Sequence, residues 1–283
     1  MQVSYSRIQT FNNCPYQYYL RYKKNLTTLA TDDPTSPLIL GHALHTGIEF
    51  TTEEAVKEYY NSYPIINDSH INEVIKFEYW IPKIKELLPT GEHEVKIEDK
   101  DFIGFIDLLV PVEKEVKYNL VDNYETGYEY QIDINDSMDP TQYFDLYDFK
   151  YSNNIKNYMG SEQLHLYKYY FEKLNPGKII RNMYFMFVPK CSLKMKEKNK
   201  TNKRDETTEE FRKRIIADLE TKEIDFAKIE YDPNKIIDFL TNAKHTIECT
   251  DFYKNKTRLC DWCEYKRYCQ TGVDYELIEK EVK

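Results

Sequence analysis

Along this chain the spacing of hydrophobic residues changes at about residue 90. Before that point apolar side chains recur every three or four positions, as in Leu44, Ile48, Ala55 and Tyr59 after Gly41, the spacing of one helical face. Three helical stretches are predicted there. Ser4–Lys24 has Ser4 as its cap and Pro15 marking a kink or a fresh start; Gly41–Tyr60 is interrupted near Thr51–Thr52; Ile71–Leu88 is bent by Pro82. Thr31–Pro37 reads as a loop. From Glu94 the period falls to two. Glu94–Glu98 alternates and Phe102–Val110 is a short apolar run, which predicts a hairpin turning near Asp99–Asp101. Tyr118–Val121 and Tyr128–Ile134 predict an extra hairpin, and Phe144–Tyr151 a further strand. Helix returns over Ser161–Leu174, and Ile179–Val188 has the continuous apolar character of a central strand. After polar Lys194–Thr208 come a helix (Glu209–Glu220), an edge strand (Ala227–Tyr231), a helix (Pro233–Thr246) and a compact cysteine-rich segment, Leu259–Thr271. The pattern is that of an α/β protein with a mixed central sheet flanked by helices. It divides into a helical region (1–90), a core (91–248) with an insertion at about 111–146, and a C-terminal segment (249–283).

Composition narrows this reading only slightly. At 283 residues, 41% hydrophobic and 31% charged, the chain can bury one large core, or a core and a small satellite. Its 26 tyrosines against 2 tryptophans fit an AT-rich coding bias, although tyrosines clustered at a nucleic-acid site would stack bases. The net charge of −9 is uneven. Glu113–Tyr147 holds nine acids and two lysines, whereas Lys190–Arg214 holds ten basic residues and five acids. A nucleic-acid binder needs a basic path at its site, not a basic average. No apolar run reaches bilayer length and the first residues lack a signal-peptide core, so a cytoplasmic protein is expected, in a bacterial or phage-infected cell. No Gly-x-x-x-x-Gly-Lys-Ser/Thr phosphate loop is present, so the chain carries no evident motor.

Candidate chemistry centres on Asp148-Phe-Lys150. Residues two apart on a strand share a face, so a carboxylate and an ammonium project together. Asp107, in Gly104-Phe-Ile-Asp107, places a second acid at an apolar strand, where an unpartnered carboxylate is costly. His45 lies on a predicted helix, and Gln163 and Tyr167 share a helical face at i, i+4. Taken singly, each is ordinary: a surface ion pair, a core histidine, two helix-surface residues. Taken in order, they resemble the PD-(D/E)xK nuclease superfamily, specifically its RecB-like branch, which includes AddB-type nuclease domains and CRISPR-associated RecB-like exonucleases. The resemblance spans nearly the whole chain. It implies a restriction-endonuclease-like core in which Asp107 and Asp148 coordinate Mg²⁺ or Mn²⁺. The Phe149 carbonyl adds a ligand and His45 completes the shell. Lys150 orients water or stabilises charge, and Gln163 and Tyr167 lie near the DNA. Glu94 is a further acid of unassigned role. The implied activity is a DNA exonuclease in recombination, repair or phage DNA processing, beside a helicase, recombinase or integrase. Two alternatives stand beside it: a CRISPR-adaptation-type end-trimming subunit working with an integrase, and a non-catalytic metal-stapled nucleic-acid-binding protein. The chain departs from a compact member by the 40 residues between Asp107 and Asp148, where Asp133, Asp136, Asp139 and Asp145 read as solvated loop acids.

Six cysteines are too few for a disulfide scaffold in a chain this long. Cys260-x2-Cys263-x5-Cys269 supplies three thiolates, and a closed site needs one more. Cys14, followed by Pro15, is the natural fourth. This arrangement resembles the iron–sulfur staple of AddB-type and related nucleases, which implies a [4Fe–4S] cluster. Zinc on the same thiolates is the rival. Cys191 and Cys249 fall outside the pattern.

Overall fold

The structure is a computed structural model describing residues 2–28, 32–113, 118–123, 127–132, 140–198, 201, 204–275 and 277–279, with residues 118–123 and 127–132 described as backbone only. Asp133, Asp136 and Asp139 lie outside the described residues. Ser4 caps helix α1 (Tyr5–Asn13) by accepting a hydrogen bond from the Arg7 amide at 3.3 Å. Pro15 then opens α2 (Pro15–Tyr18), which continues as a π-helical turn over Tyr19–Lys23. Strand β1 (Leu26–Thr28) follows. The predicted helix at 41–60 is two: α3 (Pro37–Glu49) and α4 (Thr52–Asn61), separated because the Thr51 hydroxyl caps the second. Helix α5 (Asp68–Leu87) starts earlier than its apolar periodicity suggests, because Asn67 and His70 form a capping box; it runs on through Pro82.

The sheet contains β2 (Glu92–Glu98), β3 (Ile103–Val112), β6 (Gln142–Tyr151), β7 (Lys178–Val188) and β8 (Asp225–Ile229), in that spatial order. Only β6 and β7 run parallel, so the sheet is mixed as expected. The extra hairpin pairs β4 (Tyr118–Asn123) with β5 (Gly127–Ile132). Between β6 and β7 lie a single turn, α6 (Lys156–Met159), and α7 (Gln163–Leu174). A register shift after Phe144 opposes Asp145 to Asn182. Here the reading of Asp145 as a solvated acid is corrected. It is buried, accepting a hydrogen bond from Asn182 Nδ2 at 2.8 Å with Arg181 Nε at 3.5 Å, because the bulge turns it inward onto these partners.

Each face of the sheet carries its own core. On one, α3, α4, α5 and α8 (Thr208–Glu220) cover Leu108, Val110, Phe149, Met186 and Val188. On the other, α1, α7 and α9 (Asn234–Glu248) cover Ile106, Leu146, Phe185 and Phe187. Gly47 sets the first layer. A Cβ there would stand 2.2 Å from Ile81 Cδ1 and 2.9 Å from Ala55 Cβ, so only glycine lets α3 lie against α4 and α5 with His45 one half-turn away. The C-terminal segment comprises a 3₁₀ turn (Arg258–Trp262), α10 (Lys266–Thr271) and β9 (Leu277–Glu279). Strand β9 pairs antiparallel with β1, a contact that three-residue strands give no sequence signal for.

Candidate active site

Three strands and two helices converge at one end of the sheet. The paired register of β3 and β6 ends at Leu108 and Tyr147, and the next residues, Asp107 and Asp148, follow side by side, with the Phe149 amide bonded to Asp107. On β2 the same logic brings Glu94 against Asp107, between the pairs His93–Leu108 and Val95–Ile106. Glu94 adopts φ +51°, the left-handed region that a glutamate reaches only at a cost. Such strain persists where surrounding structure enforces it and concentrates at functional sites. Here it occurs on the sheet's edge strand and presents the Glu94 carboxylate to His45 and Asp107.

Ligand atoms of His45, Glu94 and Asp107 lie within 4.8 Å of one another. His45 Nδ1 is 3.6 Å from Asp107 Oδ1 and 3.8 Å from Glu94 Oε1. Its Nε2 donates to the Phe149 carbonyl at 3.2 Å, so Nδ1 is the nitrogen that faces the acids and gains a lone pair there once deprotonated. Asp107 Oδ2 accepts the Phe149 amide at 2.6 Å. Asp148, 1% exposed, stands beside this group. Its Oδ1 accepts Gln163 Nε2 at 2.8 Å, while Oδ2 lies 2.5 Å from Lys150 Nζ but receives no hydrogen bond of sound geometry. Lys150 instead donates to Gln163 Oε1 at 3.1 Å. Gln163 therefore bridges the acid and the ammonium, and it also meets the Tyr167 hydroxyl at 3.0 Å.

Tyr167 is buried beneath the site, its ring so close to β3 that a Cβ on Gly104 would come within 2.8 Å of Cε1. Helix α7 is itself tied to α1: Ser161 donates to the Tyr5 hydroxyl at 2.9 Å and accepts the Gln163 amide at 3.2 Å. Gln9 adds a contact to Glu162 at 3.3 Å.

Electrostatics here are those of acids crowded without enough positive charge. Burial raises the Asp107 carboxyl to about 7, the Asp148 carboxylate reinforces this, and His45 and Lys150 only partly oppose it. Burial pushes His45 down, but Asp107, Glu94 and Asp148 outweigh it and raise the imidazole to about 9. Lys150 is likewise raised, because Asp148 and Asp107 overcome its burial. Burial, then Asp148, pushes the Tyr167 phenol up. One imidazole and two or three carboxylates with a lone pair to spare form a donor set suited to a hard divalent cation. His45, Asp107, Asp148, Phe149, Lys150, Gln163 and Tyr167 thus gather in one place. Glu94 gains a position that strand alternation did not assign, since its backbone leaves the pattern; its place opposite Asp107 in the hairpin was the available signal.

The cysteines form a separate group. Cys14, Cys260, Cys263 and Cys269 are free thiols lining one cavity of about 380 Å³. Burial raises the Cys263 thiol, with Cys14 and Cys260 near enough to add to the effect. The segments carrying them are cross-braced: Tyr16 N–H to Tyr253 O at 3.1 Å, Asn255 Nδ2 to Asn13 O at 2.9 Å, and an Arg21–Glu264 ion pair. Among the described residues no helix is long and apolar enough to cross a membrane.

Against the curated proteins the chain finds no significant match. The sequence model of one family does match, over residues 2–270, a span that takes in every residue of the site and all four clustered cysteines. Because that match covers nearly the whole chain, the chain belongs to the PD-(D/E)XK nuclease superfamily.

Proposed function

We propose that the protein is a divalent-metal-dependent deoxyribonuclease that hydrolyses phosphodiesters at DNA ends as an exonuclease. The observation that carries this reading is the junction of two groups: the His45–Glu94–Asp107 triad and the Asp148–Gln163–Lys150 bridge. Bound Mg²⁺ or Mn²⁺ supplies charge neutralisation at the scissile phosphate and a more acidic water. Asp107, Glu94 and His45 would hold the ion and Asp148 would offer Oδ2, while the Phe149 carbonyl fixes the His45 ring by accepting from Nε2. Lys150, beside Asp148 and held by Gln163, would act on the developing negative charge and orient the attacking water by donation. Gln163 fixes the separation of Lys150 from Asp148, and Tyr167 fixes Gln163.

The four cysteines hold a [4Fe–4S] cluster in this reading, as in the RecB-like branch. Four free thiols around one cavity suit either metal centre in number and type, and the resemblance to the RecB-like branch favours the cluster over zinc. The activity fits recombination, repair or phage DNA processing, with a separate helicase, recombinase or integrase supplying movement or joining.

Anaerobically purified protein, given end-labelled linear and circular DNA of one and two strands with Mg²⁺ or Mn²⁺, tests the proposal. Linear DNA is expected to shorten from its ends and circles to persist, with Asp148→Ala and Lys150→Ala at least ~100-fold slower. Cutting by both variants at the wild-type rate overturns the site. Binding without cleavage under all conditions favours a non-catalytic nucleic-acid-binding protein.

A further inference from the structure

The chain has two tryptophans, and they sit in opposite surroundings. Trp80 is 2% exposed in the core beneath α5, whereas Trp262 is 78% exposed at the end of the 3₁₀ turn. In a 3₁₀ turn residues i and i+3 eclipse, so Leu259, 52% exposed, lies on the same face as Trp262. Around this apolar pair the charge reverses that of the chain. Lys254–Tyr268 holds five cations and two acids, in a protein of net charge −9. Both acids are already engaged, Asp261 by Lys266 at 3.0 Å and Glu264 by Arg21. Lys254 is held over the Tyr16 ring and to the Cys269 carbonyl. Lys256 and Arg258 remain without an ion-pair partner among the described residues. Lys256, Leu259 and Lys266 also rim the cysteine cavity.

One indole and one leucine, in a stretch with two cations that have no ion-pair partner among the described residues, make too small an apolar patch for a stable protein interface, which needs roughly 800 Å² per partner. They suit a single-stranded nucleic acid: an unpaired base offers a π-face to stack on, and its phosphates meet the surrounding cations. We propose that Trp262, with Lys256 and Arg258, forms a stacking platform that holds a single DNA strand outside the catalytic pocket. Helix α1 connects the two places. Tyr5, at one end, meets Ser161 beside Gln163, and Cys14 follows its other end. Its nine residues span about 13 Å, so the platform lies outside the catalytic corner, along the path of a strand that leaves it. This rests on the reading of the protein as a deoxyribonuclease, and it specifies where the strand runs.

Tryptophan fluorescence of the anaerobically purified protein tests the proposal in EDTA, where no hydrolysis intervenes. Titration with (dT)20 is expected to quench the exposed indole, and equally so in Trp80→Phe. Followed by anisotropy of labelled (dT)20, Trp262→Ala is expected to bind about 5- to 100-fold more weakly, the range for one lost base–aromatic stack, and Trp262→Phe to recover most of the loss. Lys256→Gln and Arg258→Gln each lower the salt dependence of binding by about one phosphate contact. Binding without quenching, or equal affinity for wild type and Trp262→Ala, overturns the platform. So does a concentration-dependent blue shift of Trp262 without DNA, which marks the face as a contact between protein chains. Asp148→Ala separates the two readings: it is to quench like wild type, and quenching by a wild type that cuts nothing leaves the platform standing while the nuclease reading fails.

Discussion

Replacing Asp107 by asparagine is expected to make the metal-free protein more stable while abolishing its response to metal. Asparagine keeps an oxygen for the Phe149 amide, so the 2.6 Å hydrogen bond has a replacement acceptor. It removes a carboxylate that is costly to ionise. Folding moves that group from 3.8 to about 7, through burial and then repulsion by Asp148. Three pK units correspond to about 4 kcal/mol at about 1.4 kcal/mol per unit. Because the shift is shared with Asp148, and a buried amide must satisfy its own N–H groups, about 2 kcal/mol is the expected net change. An acid whose folded pKa lies above its unfolded value contributes most below pH 4, and that contribution is lost as the pH rises towards 7. The advantage of the variant therefore widens from pH 5 to pH 8 and flattens above. For a chain of this size the gain at pH 8 is about 4–8 °C in melting temperature. Thermal melts in chelator at pH 5, 6, 7, 8 and 9 measure it. With Mn²⁺ added at about a hundred times its dissociation constant, wild type should gain about 2.7 kcal/mol and the variant almost nothing. A variant less stable than wild type at pH 8, or a gap that ignores pH, refutes the picture of Asp107 as an acid strained to await a cation.

Glu94 offers a second test of stored strain. At φ +51° glycine is at ease and alanine is not, so Glu94→Gly should be about 1 kcal/mol more stable than Glu94→Ala, the reverse of the usual order in a strand, with Mn²⁺ binding weakened at least about tenfold in both. Metal binding should release protons, because His45 must leave its value of about 9 and Asp107 its value of about 7. Calorimetry in buffers of different ionisation enthalpy should find about one proton released at pH 8, more at pH 6.5 and almost none at pH 9.5, with affinity falling as the pH drops; a proton count independent of pH contradicts this. Cys263→Ser should lose iron and melt several degrees lower; unchanged iron content and an unchanged melt would remove the cluster, and zinc in the wild type would reassign it.

Much of this architecture was written in local spacing. The β2–β3 hairpin, the Asp-Phe-Lys strand and helix α7 follow from changes of period alone, whereas the meeting of Asp107 with Asp148 is expected from the order of the motifs and the family they resemble. What escaped depended on contacts between remote residues or on backbone outside the regular pattern. Helix α5 begins three residues before its apolar stripe because Asn67 and His70 cap it from polar positions. Asp145 looks like a loop acid until the bulge opposite Asn182 turns it inward. Glu94 counts as one polar position among several in an alternating strand, and only a positive φ distinguishes it. The coupling of α1 to the site through Tyr5 and Ser161 crosses 156 residues and leaves no trace in either segment's own composition.

The pairing of β1 with β9 bears on how the protein is made. Thr28 meets Leu277 across about 250 residues of chain. At a synthesis rate of about 5–20 residues per second, the first of these strands waits roughly 12–50 s on the ribosome before its partner emerges. Every residue of the catalytic corner, as far as Tyr167, is by then already outside. The residues of the candidate site thus all leave the ribosome before the seam that closes β1 onto β9 can form. Until then β1 is an open hydrogen-bonding edge, and its three-residue length limits what else it can bind.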